Sequence, residues 1–354
     1  MTAQNSKFAS ASSKLPALTL SPLRFLFKSQ FTTPQPTPKD LDLSGQTAII
    51  TGANNGIGFA CAQLLLQRGL SHLIIAVRSE AKGRDALEQL RAITSDTKIE
   101  VWKLDMGSYI SISDFVKHCE TLPRIDFVIL NAGMGNQYFQ INESTGHEET
   151  LQVNFLSTMY LSVLLLPVLK SKASPSKPGR LTIVNSGTSM YCELPEAKSA
   201  SLLAALDKES NYDGMDRYGK SKLLGQLFVD RLAQYIDPND VVINLVDPGL
   251  TKDTGLGKDA TGLAKIMMTI FSKLIGRTKE QAASTYVDAA VLKGDETHGS
   301  YVMDWRIYPF GKFYYSEECQ DVQDRLWKEM MDEYEFAHME GIINSMGRRG
   351  SGSS

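Results

Sequence analysis

Apolar residues fall along this chain in short blocks, with helix-periodic stretches between them. Gln46 to Thr51, Leu73 to Val77, Lys98 to Leu104, Ile125 to Leu130, Leu181 to Val184 and Val241 to Val246 are apolar runs that read as strands. The intervening segments Gly56–Gly69, Ala81–Ile93, Ser111–Leu122, Glu148–Lys170 and Asp216–Tyr235 read as helices. In the first of these, Ile57, Ala60, Cys61, Leu64 and Leu65 recur at the spacing of one helix face. The strands are continuous apolar runs rather than alternating ones, which is the pattern of strands buried on both sides. Strand–helix alternation of this kind predicts a doubly wound α/β domain with a parallel sheet and helices on both faces.

The ends of the chain differ in texture. Residues 1–43 read as an N-terminal extension and linker: positions 1–39 contain no Asp or Glu, carry Lys7, Lys14, Arg24, Lys28 and Lys39, and end in Pro34, Pro36 and Pro38. The expectation is a flexible tail with a short apolar segment, Leu18 to Phe31, resting on the domain. A mitochondrial transit peptide shares part of this composition and stands as the alternative. The α/β domain is expected over 44–303. Residues 304–346 form an aromatic and helical extension with Trp305, Tyr308, Phe310, Phe313, Tyr314 and Tyr315, then an amphipathic helix over Asp321–Phe336. The Gly/Ser-rich stretch 347–354 is expected to be disordered.

Composition narrows the function. The 354 residues hold 37 basic and 40 acidic side chains, a formal net charge of −3, which argues against a nucleic-acid partner. No run of about 18 uncharged apolar residues occurs, so no transmembrane helix is expected. Peripheral membrane contact through Leu18–Phe31 or 263–275 stays open, and the expected location is cytoplasmic. Cys61, Cys119, Cys192 and Cys319 stand alone and the five histidines lack metal spacing, so no metal is expected.

The first strand runs into Thr51-Gly52-Ala53-Asn54-Asn55-Gly56-Ile57-Gly58, where a helix begins. Gly52 suits a tight turn, Gly56 lets the backbone approach a pyrophosphate, and Gly58 lets the helix pack closely. The helix N-terminus then offers N–H groups to phosphate. The second strand ends in Val77-Arg78, with no acid to accept ribose hydroxyls. A guanidinium there suits a 2′-phosphate, which points to NADP(H). Lys82 adds a second charge or simply lies on a solvated face.

The spacing T-G-x-x-x-G-I-G resembles the short-chain dehydrogenase/reductase family, and further matches follow in order. Tyr218-Gly219-Lys220-Ser221-Lys222 matches the family's Y-x-x-x-K, which sets phenol and ammonium one helical turn apart. A phenol titrates near 10, and a neighbouring ammonium is expected to lower that value. Ser186, at the end of the fifth strand, corresponds to the serine that hydrogen-bonds the substrate carbonyl, with Ser189 as its competitor. Asn131-Ala132-Gly133 matches the family's N-A-G. Asn154, inside an apolar helix, corresponds to the asparagine that completes a proton relay with Lys222. Asp105 matches an adenine-binding acid, or caps a helix. Pro248-Gly249-Leu250-Thr251 matches the loop that contacts the nicotinamide.

The resemblance spans residues 44–303 and implies a Rossmann-like sheet of about seven strands in the order 3-2-1-4-5-6-7. The 32 positions from Ser186 to Tyr218 are more than compact members have. That insert resembles the retinol-dehydrogenase and protochlorophyllide-reductase branch, and also fungal short-chain reductases of secondary metabolism. The implied activity is NADP(H)-dependent reduction of a ketone, or oxidation of the alcohol, on a small molecule. The alternative is a non-catalytic NADP(H)-binding sensor or scaffold. Residues 251–278 are expected to form a lid over an apolar, bulky substrate, since Ile266, Met267, Ile270, Phe271 and Leu274 recur at helical spacing after Gly255, Gly257 and Gly262. Oligomerisation is left open.

Overall fold

β1 (Thr47–Thr51) is buried along its whole length. In the computed structural model, which describes residues 8–94, 96–253 and 272–347, it lies near the middle of one sheet. The other strands are β2 (His72–Val77), β3 (Lys98–Lys103), β4 (Phe127–Leu130), β5 (Gly179–Val184), β6 (Val241–Asp247), β7 (Tyr301–Met303) and β8 (Arg306–Tyr308). Their order is β3-β2-β1-β4-β5-β6-β7-β8, with the first seven parallel, as the motifs implied. Successive residues of one strand feed opposite cores: Ile49 joins one apolar cluster, Ala48 and Ile50 the other.

β8 is an addition to the expected seven strands, and it is antiparallel to β7. It comes from the aromatic tail through a two-residue turn, Asp304-Trp305, in which both residues have positive φ (51° and 59°). A tight hairpin demands that conformation. Asp-Trp is not a usual residue pair for it, so the sequence carries little signal.

The helices are α1 (Pro22–Gln30), α2 (Gly56–Leu66), α3 (Glu80–Arg91), α4 (Tyr109–Glu120), the single turn α5 (Glu149–Leu151), α6 (Ser157–Lys172), α7 (Leu202–Leu206), α8 (Gly214–Ala233), α9 (Lys279–Val287), α10 (Cys319–Glu333) and α11 (Met339–Gly347). The long helix expected over 148–170 is interrupted: Gln152–Leu156 is a turn of π-helix between α5 and α6. By length and hydropathy Glu149–Lys172 would suffice to cross a bilayer, but its most apolar window is 89% buried within the protein. It is a core helix.

The flexible-tail reading of residues 1–39 does not hold for the described part. Ser12 is fully buried, donates to the Tyr308 carbonyl and accepts from the Tyr301 N–H at 2.8 Å, so it sits on the β7–β8 hairpin. The Ser10 hydroxyl donates to Asp230 at 2.7 Å. On α1, Phe25 is buried and Ser29 donates to Asp304 at 2.7 Å. At the other end, Trp327 of α10 stacks on Phe228 and Tyr235 of the core, at 5.3 and 5.1 Å between ring centroids. Most of the expected lid, residues 254–271, lies outside the described residues, as does 348–354; Leu274, from the same stripe, is exposed.

Candidate active site

The C-terminal ends of β1, β4, β5 and β6 converge, and the candidate residues gather there. After β1, Gly52 and Gly56 both have left-handed φ, of 69° and 64°. Nothing lies within 4 Å of where a Gly56 side chain would begin, so the start of α2 faces open space. That is a cradle suited to a pyrophosphate against helix N–H groups. A Cβ on Gly58 would meet the Asn131 amide at 2.5 Å, so Gly58 is small to admit Asn131. Asn131 donates to the Thr51 carbonyl at 2.9 Å and accepts from the Tyr286 hydroxyl at 3.1 Å, and the Ala132 N–H donates to Thr51 Oγ1 at 3.0 Å. These bonds tie the Asn131–Gly133 turn to the glycine loop. Asn54 and Ile57 are half-buried in the same loop.

Val77 is buried where an acid would face the ribose, and Arg78 is exposed beside it. Lys82 is exposed on the first turn of α3. Asp105 is half-buried and accepts from the Gly107 N–H at 3.0 Å. It is not the cap of α4, because Ser108 takes that position and accepts from the Ser111 N–H.

Tyr218 and Lys222 lie on one face of α8, with the ammonium 5.8 Å from the centre of the phenol ring. Both are buried. Lys222 Nζ donates to the Val184 carbonyl at 2.9 Å. The expected lowering of the phenol is not what this geometry gives. Burial pushes Tyr218 up to about 12; a hydrogen bond from Ser186 works against that, and the Asp247 charge adds to it. Burial also draws Lys222 down to about 8, against the pull of Asp247.

Ser186 and Ser189 separate clearly. Ser189 is fully buried, donates to the Ser186 carbonyl at 2.6 Å and accepts from Gln226 at 2.8 Å. Those are structural bonds, whereas Ser186 is half-buried and lies against Tyr218. Asn154 sits on the π-turn, a distortion often found at functional sites. Its amide exchanges both bonds with the Met134 backbone, at 2.9 and 2.7 Å. A Cβ on Gly133 would lie 3.2 Å from Asn154 Oδ1 and 3.6 Å from Lys222 Nζ, so the three positions adjoin.

Beyond β6, Pro248, Gly249, Leu250 and Thr251 form a loop held by a residue the motif reading did not single out. Arg277 donates to the Pro248 carbonyl and the Ser29 carbonyl, each at 3.0 Å, and pairs with the buried Asp304. Its own N–H donates to the Leu250 carbonyl at 2.8 Å. Asp247 accepts from the Gly249 N–H at 2.8 Å and from the Tyr301 hydroxyl at 3.1 Å; burial holds its carboxyl up at about 6. A lone Arg in a sequence carries no sign of such a role, because its partners come from α1 and the β7–β8 turn.

The family model described as short chain dehydrogenase matches residues 46–199. The short chain dehydrogenase/reductase mfmJ of Annulohypoxylon moriforme is 48% identical over 322 residues, covering 90% of this chain and 94% of the relative. The short chain dehydrogenase virL of Hypocrea virens is 40% identical over 326 residues, covering 92% and 95%. Among solved structures, salutaridine reductase from Papaver somniferum has a TM-score of 0.54 at 21% identity, over 72% of this chain and 99% of that one. The NADPH-dependent 3-quinuclidinone reductase from Rhodotorula rubra has a TM-score of 0.54 at 19% identity, over 77% and 96%. The two solved structures share the fold, and the close, nearly full-length relatives settle the lineage: this chain belongs to the short-chain dehydrogenase/reductase family of oxidoreductases.

Proposed function

We propose that this chain is an NADP(H)-dependent ketone reductase of secondary metabolism, acting on a largely apolar, bulky small molecule. The observation that carries the reading is the adjacency of Ser186, Tyr218, Lys222 and Asn154 around the Gly133 turn. The Gly52–Gly58 loop and the Pro248–Thr251 loop would hold the nicotinamide dinucleotide, which when bound would supply the hydride. Tyr218 holds the proton that the substrate oxygen receives; with the phenol at about 12 it stays protonated through neutral and mildly alkaline pH. Ser186 orients that oxygen from the other side. Lys222, near 8, is a group that exchanges protons close to neutrality. Asn154 positions the Gly133–Met134 turn beside it. Two features support NADP(H): the missing acid at Val77 and the exposed guanidinium of Arg78. Support for an apolar substrate is the stripe from Ile266 to Leu274 in the sequence.

The test is steady-state oxidation of NADPH against a panel of bicyclic and long-chain ketones, with NADH in parallel. The reading expects turnover with NADPH, and a loss of about a hundredfold or more in Tyr218→Phe with cofactor affinity kept. Undiminished turnover in Tyr218→Phe removes the tyrosine from the chemistry.

A further inference from the structure

Between Ser186 and Tyr218 the chain makes a detour, and the detour is locked to the catalytic helix. Buried Lys220, two positions from Tyr218, pairs with Glu196 at 2.7 Å. Arg217, next to Tyr218, is buried, donates to the Leu206 carbonyl and faces Glu148 at 3.5 Å. Any shift of residues 196–206 is therefore felt at the base of the phenol.

The outer side of the detour rests on α10. Arg325, Glu329 and Glu333 are spaced four apart, which sets them in one row along that helix. Arg325 donates to the Ser199 carbonyl at 2.8 Å and to the Ala197 carbonyl, where the 3₁₀ turn Pro195–Lys198 ends. Glu329 accepts from the Ser201 hydroxyl at 2.9 Å and from the N–H groups of Leu202 and Leu203 at 2.8 and 2.9 Å, where α7 begins. A cation at the exposed carbonyls of a turn and an anion at the free N–H groups of a helix start are the signs that these ends favour. Glu333 completes the row. It lies 3.3 Å from His147, which pairs with Asp207 at the end of α7 at 2.7 Å, and it accepts from the Tyr109 hydroxyl at 2.9 Å.

We propose that α10 is the template for residues 197–207, and that Arg325 and Glu329 are positioning residues for the carbonyl substrate. Their bonds go chiefly to backbone groups, so they dictate the path of the detour whatever its side chains are. That path sets the catalytic helix against Ser186. Among the described residues the row makes no hydrogen bond or ion pair with the glycine loop or the Pro248–Thr251 loop, so the proposal leaves cofactor binding independent of it. The inference rests on the ketone-reductase reading.

The test uses the full chain with NADPH and 2-tetralone, an apolar bicyclic ketone, as probe. Glu329→Ala is expected to raise the KM for the ketone about fivefold or more and to lower kcat with it, while the NADPH Kd stays within about twofold. Glu329→Gln, which keeps one acceptor oxygen, recovers part of that loss. Arg325→Gln, at the more exposed end of the row, raises KM in the same direction and decides alone if Glu329→Ala does not fold. A wild-type KM in these variants, even with a lowered Tm, overturns the proposal and leaves α10 as packing only. So does a raised KM that Glu329→Gln leaves unrelieved. A wild-type chain that oxidises NADPH with no ketone of the panel overturns the reading beneath it instead. In that case hydrogen exchange at residues 199–207 tests the hold itself: faster exchange in Glu329→Ala keeps it, and unchanged exchange removes it.

Discussion

Replacing Arg277 by Met separates the stability of this fold from the placing of the Pro248–Thr251 loop. Arg277 and Asp304 are 2% and 0% exposed, so the substitution leaves a carboxylate uncompensated in the interior. Breaking a buried pair from one side costs about 3–5 kcal/mol. Asp304 keeps two donors, Ser29 at 2.7 Å and Tyr308 at 3.2 Å, which argues for the low end of that range. The Pro248 carbonyl loses its donor as well, at about 1 kcal/mol, while the Ser29 carbonyl keeps the Thr32 N–H at 3.0 Å. The total is about 4 kcal/mol, which at roughly 2 °C per kcal/mol lowers Tm by about 8 °C. Methionine stands in for the stem of Arg277 against Trp305, whose ring centre is 4.8 Å from the guanidinium. Thermal melts of Arg277→Met and of the double variant Arg277→Met/Asp304→Asn, whose asparagine tolerates the left-handed φ of that turn, make the assay. The double variant removes the stranded charge and regains most of the lost Tm. The NADPH Kd behaves differently: it rises in both variants, because the Pro248 carbonyl lacks its donor in both. Unchanged Tm in Arg277→Met, or a Kd restored along with Tm in the double variant, refutes this division of labour.

Two further predictions concern charge. His147 is opposed by burial, yet hydrogen bonds to Asp207 and Glu333 win and raise it to about 9. A group raised above its unfolded value near 6.5 gives stability that is full below 6.5 and is lost as pH climbs through 9. Tm is therefore expected to fall between pH 7 and 9.5 and to fall less in His147→Gln; equal slopes in the two melts contradict it. Arg78→Ala is expected to raise the KM for NADPH about tenfold and to leave NADH almost unaffected, and parallel changes for both cofactors contradict that.

The core of the fold was legible because each central strand is a short run buried on both faces, and such runs announce themselves. The placement of Gly52, Gly56, Tyr218 and Lys222 was legible for a related reason: each pair is set by a spacing within one loop or one helical turn. What stayed hidden depends on distant partners. The π-turn at Asn154 inserts a residue into a helix whose apolar pattern runs on without a break. Ser12 and Ser29 look like the hydroxyls of a tail until the β7–β8 hairpin gives them partners some 275 to 289 positions away. The raised phenol of Tyr218 is hidden likewise, because Y-x-x-x-K states proximity to an ammonium but not the burial that outweighs it.

The two ends of the chain invest in the same half of the site. Phe25 of α1 comes within 3.3 Å of the Cβ position of Gly187, next to Ser186, and Gln30 donates to the Leu250 carbonyl at 3.2 Å. From the other end, α10 grips the detour before Tyr218. The Gly52–Gly58 loop, by contrast, is tied to the Asn131–Gly133 turn after β4. Salutaridine reductase matches over 99% of its own length but only 72% of this chain, whereas mfmJ matches over 94% and 90%. The distant reductase thus shares a smaller part of this chain than mfmJ does. On the ketone-reductase reading, substitutions in α10 should accordingly change how the ketone is held before they change the NADPH Kd.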